Sequence, residues 1–537
     1  FSDIQTKKKF APCVPAIGLY ENARLRVVEN FDFDASVNVK NQANDLRKWK
    51  LTVNLDFRSF QESERTLNVK LRIGEPFNFE CNITVTLNGP REVKTLPFDL
   101  DIKEEIKLDD ILWNPNGYGA QKLFHLQIDC IETSNDEQEL GSNKTKTIRI
   151  GFRSVELSQE ITSFKFKVNN KDIFVKGANW LPADLFSENV KPDYLKWLLR
   201  SAREANMNAL RVIGVGSYEH TYFYDLADEY GLMILQDFMF AETLYPSSNE
   251  FLDNVKSEVK YQTNRLSNHP CIVAWIGNYK TETFLNSQQK IGQIYRDDYN
   301  KLISAIKENI DMTATPFVPS LPLMIKNPAT NQSDFVTLDV QLSADTNGWI
   351  HESYKKALFV SEFGVVSYSS QPTLSKYSFK DVDSSFGSEL SKRRLRQLDS
   401  IDDLVWNVRL NLEFLDAYKT SREFFSRAIY LTQINQAMAT KTLVESQLDA
   451  NCGGALLAQL NDIWPANSMS IVEFGGSWKM AQYYVRNAFK PIVVFAYEKA
   501  SAFHIHIKMH KLEDSKFQYV LKTMVFSFDK LNPIYEN

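Results

Sequence analysis

From residue 174 to 462 the sequence alternates short apolar runs with amphipathic stretches, and few folds accept that pattern. The runs 174–180, 207–213, 232–237 and 271–278 are too short for core helices and read as buried strands. Between them, 193–206 places Leu195, Leu198, Leu199 and Ala202 on one helical face. A helix over 218–230 ends at Gly231, and one over 249–267, with Leu252, Val255, Val259 and Leu266, stops at Asn268-His269-Pro270. Residues 315–318 and 336–338 are the expected fifth and sixth strands, 357–364 the seventh and 454–462 the eighth. Long helices are expected over about 401–448, and another over 479–489. Eight strands separated by helices predict a (β/α)8 TIM barrel with enlarged loops.

The seventh strand carries a distinctive signal. Ala357-Leu358-Phe359-Val360-Ser361 is apolar and β-compatible, then ends in Glu362-Phe363-Gly364. A lone carboxylate at the C-terminal tip of a buried parallel strand sits where barrels keep their catalytic groups. Glu362 is therefore the candidate nucleophile of a retaining glycoside hydrolase.

Residues 29–152 follow a different period. The stretches 49–55, 67–71, 82–87, 122–128 and 147–150 alternate apolar and polar positions, punctuated by Asn88-Gly89-Pro90 and Asn114-Pro115-Asn116-Gly117. This predicts an all-β immunoglobulin-like sandwich over 29–152, followed by the barrel over 153–489. Residues 1–28 read as the tail of a further β-domain, and 490–537 as the start of another sandwich. His125 reads as an ordinary strand residue. His504, His506 and His510 share a strand face but lack a neighbouring carboxylate or Cys.

Charge and composition exclude several classes. The net charge of −5 gives no electrostatic case for nucleic acid or anionic membrane. No apolar run approaches the roughly 18–20 residues of a membrane span; 271–277 and 491–496 are core strands by length. The basic run Lys392-Arg393-Arg394-Leu395-Arg396 reads as a solvated helix face. Five scattered cysteines form no zinc pattern, and a Cys81–Cys130 bridge stays open. No metal or cofactor is implied, and the sequence sets no oligomeric state. Sequons at Asn82, Asn143 and Asn331 lean toward a secretory or lysosomal route.

Several motifs then fall in one order. They are Trp113-Asn114-Pro115-Asn116-Gly117, Lys176-Gly177-Ala178-Asn179-Trp180-Leu181-Pro182-Ala183-Asp184, Gln236-Asp237-Phe238-Met239-Phe240-Ala241 and Ser361-Glu362-Phe363-Gly364. Gln459-Leu460-Asn461-Asp462-Ile463-Trp464 and Gly475-Gly476-Ser477-Trp478-Lys479-Met480 complete the series. Together they resemble the β-mannosidases of glycoside hydrolase family 2. The resemblance implies a retaining exo-hydrolase that removes terminal β-linked mannose from a mannose-containing oligosaccharide. It implies Glu362 as nucleophile and Trp180, Asp184, Arg211, Asp237, Asn278 and Trp464 as substrate-binding residues. It also implies a sugar-binding-like jelly roll ahead of the sandwich, of which 1–28 would be the remnant.

The acid/base position departs from the family. There a Trp-x-Gly-Asn-Asn-Glu motif ends strand four; here the chain reads Trp275-Ile276-Gly277-Asn278-Tyr279-Lys280-Thr281-Glu282. Lys280 stands at the glutamate and Tyr279 at the preceding Asn. A protonated lysine donates poorly at acidic pH and cannot turn around as a base, and loss of such a group costs about 10²–10⁴-fold. Glu282 and Glu242 are the candidate replacements. Further departures are Ala458, Ile213 and Leu338-Asp339-Val340, the last at the position of a His-Phe-Tyr-like trio. The alternative is a catalytically impaired homologue that serves as a sugar- or protein-binding module.

Overall fold

The structure is a computed structural model. It describes residues 31–59, 64–133, 139–310, 315–326, 333–340, 342, 345–378, 385–398, 401–413, 422–448, 452–509, 520–525, 532–533 and 535–536. The expected remnant over 1–28, Cys13, Asn331 and His510 lie outside them.

Two antiparallel sheets open the described chain. Strands β1 (Phe31–Gln42), β2 (Asp45–Ser59) and β5 (Arg91–Asp101) form one, in the order β1-β2-β5. The other holds β3 (Arg65–Ile73), β4 (Phe79–Leu87), β6 (Phe124–Thr133) and β7 (Glu139–Ile150), in the order β4-β3-β6-β7. In β3 every second residue is buried, which is the period of a sheet with one face on a core. Trp49 meets Phe152 edge-on at 5.3 Å in that core. The alternating stretches read from sequence fall on β2, β3, β4, β6 and β7. Strands β1 and β5 were not anticipated; β5 is an edge strand that contains Pro97. Cys81 and Cys130 are both free, because β3 runs between their strands, pairing Leu71 with Cys81 and Val69 with Cys130.

A small sheet of β8 (Val155–Glu160), β9 (Ser163–Val168) and β10 (Lys171–Ile173) leads into the barrel. Phe164 on β9 packs against Phe359 at 4.9 Å, at the N-terminal end of the seventh barrel strand, so this sheet lies against the barrel floor.

The barrel strands are β11 (Val175–Trp180), β12 (Ala209–Val212), β13 (Met233–Asp237), β14 (Ile272–Ile276) and β15 (Phe317–Val318). After a hairpin, β16 (Met324–Lys326) with β17 (Ser333–Phe335), come β18 (Leu338–Val340), β19 (Val360–Phe363) and β20 (Gly454–Leu457). They form one eight-stranded sheet in the order β15-β14-β13-β12-β11-β20-β19-β18, with every pair parallel. This is the (β/α)8 architecture expected from the alternation. The sixth strand begins two residues later than read, at Leu338 instead of 336, which carries Asp339 into the sheet.

Helices α1 (Pro192–Glu204), α2 (Thr221–Tyr230) and α3 (Asn249–Leu266) join the first four strands. Gly231 closes α2 in the left-handed region, at φ 69°, where a side chain would be strained. A 27-residue helix, α4 (Arg422–Leu448), precedes the eighth strand. Among the described residues no helix is long and apolar enough to cross a membrane.

The basic run is not simply a solvated face. Arg394 is buried and donates to the Tyr377 carbonyl, and Arg396 lies 5.6 Å from the Trp464 ring. The apolar run 491–496 is a one-faced strand, with Val493 and Phe495 buried and Val494 exposed. His504 and His506 stack on Tyr497 and Phe495, at 5.4 and 5.2 Å, so their rings pack within a hairpin.

Candidate active site

The parallel sheet delivers the tips of β14, β18 and β19 to one place. Strand pairing sets Asp339 opposite Glu362 on the neighbouring strand. Just beyond β14, Tyr279 bridges to Ala241 on one side and Leu321 on the other. Lys280 follows at φ 57°, a left-handed conformation uncommon for a side chain with a Cβ, and it immediately precedes the helix Thr281–Ser287. Backbone held in this region at a strand tip marks functional sites, where surrounding structure imposes the conformation.

Lys280 Nζ lies 2.8 Å from Asp339 Oδ2 and 3.1 Å from Glu362 Oε2. The three side chains are 11%, 15% and 16% exposed, so the cluster is sheltered but open to solvent. Tyr279 donates its hydroxyl to the same Glu362 oxygen at 2.9 Å. Ser361 donates to the other oxygen of Asp339 at 2.7 Å. Burial pushes the Glu362 carboxyl above its ordinary pKa, against the pull of the Lys280 ammonium, while Asp339 adds to the rise. Burial alone would lower the Lys280 pKa; the Glu362 and Asp339 charges overcome that and hold it well above the ordinary lysine range.

Beside this cluster is a doubly hydrogen-bonded ion pair. Arg211 from β12 grips Asp237 from β13 with two bonds, Nε to Oδ1 at 2.9 Å and Nη2 to Oδ2 at 2.8 Å. Both side chains are fully buried, and the Gly214 amide donates to Asp237 Oδ2 at 3.1 Å. Tyr279 covers Arg211, with the guanidinium carbon 5.4 Å from the ring centroid. Around Tyr279 pack Leu181, Ile213, Val215 and Ala241, a small apolar cluster at the barrel mouth.

The other expected site residues are placed differently. Trp180 is wholly buried: its indole donates to Glu219 at 2.8 Å and packs on Phe223 at 5.0 Å. Its ring packs within the core beneath the barrel mouth. Asn278 is also fully buried, and its amide is engaged with Pro319, Thr281 and Ser320. It shapes the turn after β14 and exposes nothing to a ligand. Asp184 accepts from the Phe186 amide at 2.9 Å within its own loop. Trp464 is partly exposed under Arg396.

Of the two candidate replacement acids, Glu282 turns away from the cluster, while Glu242 lies near enough for its charge to act on Tyr279, whose pKa burial and the Glu362 charge already raise. Glu282 points to Arg296, 3.5 Å away, and burial raises its pKa against that arginine. Glu242 is tied through its backbone, its amide donating to the Tyr279 carbonyl at 3.0 Å. The second carboxylate beside Glu362 is Asp339, which sequence reading treated only as a departure from a family trio. Its signal was present: a charged residue at the tip of an apolar β run, as for Glu362.

One cluster of metal-capable groups occurs among the described residues: Asp228, His269 and Cys271, all buried. Both Asp228 oxygens are committed, one within 2.7 Å of His269 Nδ1 and the other accepting the Cys271 amide at 3.0 Å. With Trp113 donating to the Asp228 carbonyl, the cluster braces the sandwich against the barrel.

A parallel eight-stranded barrel with a sheltered carboxylate at its seventh strand tip has its charge where such barrels keep catalytic groups. Residues 159–379 match the glycosyl hydrolases family 2, TIM barrel domain. Across nearly its whole length the chain is similar to β-mannosidases. It is 32% identical to that of Bos taurus, over 96% of this chain and 61% of the relative, and 31% identical to that of Rattus norvegicus, over 93% and 58%. The chain thus spans about three fifths of the length of these curated relatives. Among solved structures, the β-D-mannosidase of Dictyoglomus thermophilum superposes with a TM-score of 0.75 at 27% identity, over 90% of this chain and 58% of that one. An exo-chitosanase of Amycolatopsis orientalis, at 17% identity and TM-score 0.65, shares the fold.

Proposed function

We propose that this barrel acts on terminal β-linked mannose of oligosaccharides by a retaining mechanism, with Glu362 as nucleophile and no efficient acid/base. The similarity to β-mannosidases supports the substrate class. The observation that carries the mechanism is Lys280 Nζ at 3.1 Å from Glu362 Oε2, at the family's proton-donor position.

The chemistry follows from that contact. Glu362 attacks the anomeric carbon as the glycosidic C–O bond breaks, and the leaving oxygen departs with the electron pair. Lys280, held protonated by two carboxylates, gives its proton up reluctantly. Departure therefore depends on a leaving group stable as an anion. In the second step a water must lose a proton while it attacks the mannosyl-enzyme ester, and an ammonium cannot accept one. Turnover is slow at both steps, and the covalent intermediate persists. Arg211 and Asp237 shape the floor of the site from within the core.

The test is an aryl β-mannoside series with leaving groups of graded pKa, with and without azide. The dinitrophenyl substrate should react in a burst equal to the enzyme present, and azide should speed the second step. Absence of both burst and rescue removes the hydrolase reading. A second reading, a sugar- or protein-binding module, is favoured by the double occupation of Glu362 Oε2 by Tyr279 and Lys280. Saturable mannoside binding without a burst would select it.

The domain division proposed with this function is 1–28, 29–152, 153–489 and 490–537. A lysosomal or secretory route is proposed from the sequons; Asn82 and Asn143 are exposed on β4 and β7. Loss of a mobility shift after treatment with an amidase that removes N-glycans, in a protein expressed through a secretory pathway, would confirm modification there.

A further inference from the structure

We propose that Asp339 is a positioning residue coupled to Lys280, so that a glutamate at position 280 restores glycosidase chemistry only when the Asp339 charge is also removed. This rests on the retaining reading above and concerns a residue outside the family's acid/base pair.

Asp339 is the nearer of the two carboxylates that hold Lys280, at 2.8 Å against 3.1 Å for Glu362. Since both bind one nitrogen, the carboxylate oxygens lie within about 6 Å of each other, close to the roughly 5–5.5 Å of a retaining pair. Asp339 is nevertheless no substitute acid. One of its oxygens accepts from Ser361 at 2.7 Å and the other binds the ammonium, so both are already engaged away from a leaving group. It also projects from the strand adjacent to Glu362, in direct register with it. What Asp339 does is fix the ammonium over the nucleophile.

Glutamate at 280 would meet this arrangement with the wrong sign. Three carboxylates would then share a sheltered site that now holds two and a cation. Like charges at contact distance disfavour ionisation, and Glu362 must be ionised to attack. Removing the Asp339 charge returns the site to a carboxylate pair.

The experiment is a cycle of four full-length proteins: wild type, Lys280→Glu, Asp339→Asn and the double variant, each checked for folding by thermal melting. kcat/KM is measured against pH with phenyl and dinitrophenyl β-mannosides. The double variant should exceed Lys280→Glu by about tenfold or more on the phenyl substrate, and its acidic limb should lie about one pH unit lower. A structural role alone would not move that limb. Equal activity and equal limbs in the single and double variants overturn the proposal. So does a double variant inert to the phenyl substrate whose dinitrophenyl burst shows a working Glu362. If none of the four shows a burst, the hydrolase reading itself has failed. The coupling is then read by carbon NMR of reductively methylated Lys280: Asp339→Asn should lower its titration point, and an unchanged one overturns the proposal.

Discussion

Two ionic groups sit side by side at the C-terminal end of this barrel, and they differ in balance. Arg211 and Asp237 are matched one to one, doubly hydrogen-bonded and fully buried. Lys280 faces two carboxylates, and all three side chains keep some contact with solvent. The first pair answers its own charge and belongs to the core. The second sets two carboxylates against one ammonium, with Lys280 in left-handed backbone.

The sharpest way to break this comparison is to unpair each group. Asp237→Asn strands a buried guanidinium and should cost about 3–5 kcal/mol of unfolding free energy. Lys280→Met, in a site with some solvent access, should cost about 1 kcal/mol. Denaturant titration of both variants checks this, and similar losses would abolish the distinction.

A third network sharpens it. Asp462 is 2% exposed and accepts from Gln459, Ser468 and Ser470. Burial raises its pKa to about 6 from 3.8, although Lys479 and the serines pull the other way. Between those values the folded state holds a proton that the unfolded chain has released. The contribution is full below about pH 4 and is lost as pH rises through 6. It amounts to at most about 3 kcal/mol. Asp462→Asn should flatten the stability profile over that window, as read by melting at pH 4, 5 and 6.

The smallest expected effect is at Glu282. Because it faces Arg296, Glu282→Gln should change the dinitrophenyl β-mannoside rate by less than about twofold. A loss of tenfold or more would make it a working acid.

The sequence made some of this legible for physical reasons. Apolar runs of strand length, set between amphipathic helices, gave the barrel, and the isolated charge of Glu362 at a strand tip gave the proposed nucleophile. Lys280 was legible because the motif around it is otherwise kept. What failed was contact. Trp180 sits within a motif shared with the family, and its indole turns into the core toward Glu219, which no local pattern records. Asp339 was missed because a three-residue strand offers too little periodicity to set its register, and the start was placed two residues early.

The central claim is that Glu362 remains a competent nucleophile although its partner is a lysine. Intact-protein mass spectrometry after mixing with dinitrophenyl β-mannoside, followed by peptide mapping, tests it directly. One mannosyl adduct per chain is expected on the peptide bearing Glu362, long-lived without azide, discharged with it, and absent in Glu362→Gln. An unmodified wild-type protein under those conditions, or an adduct on another residue, would contradict it.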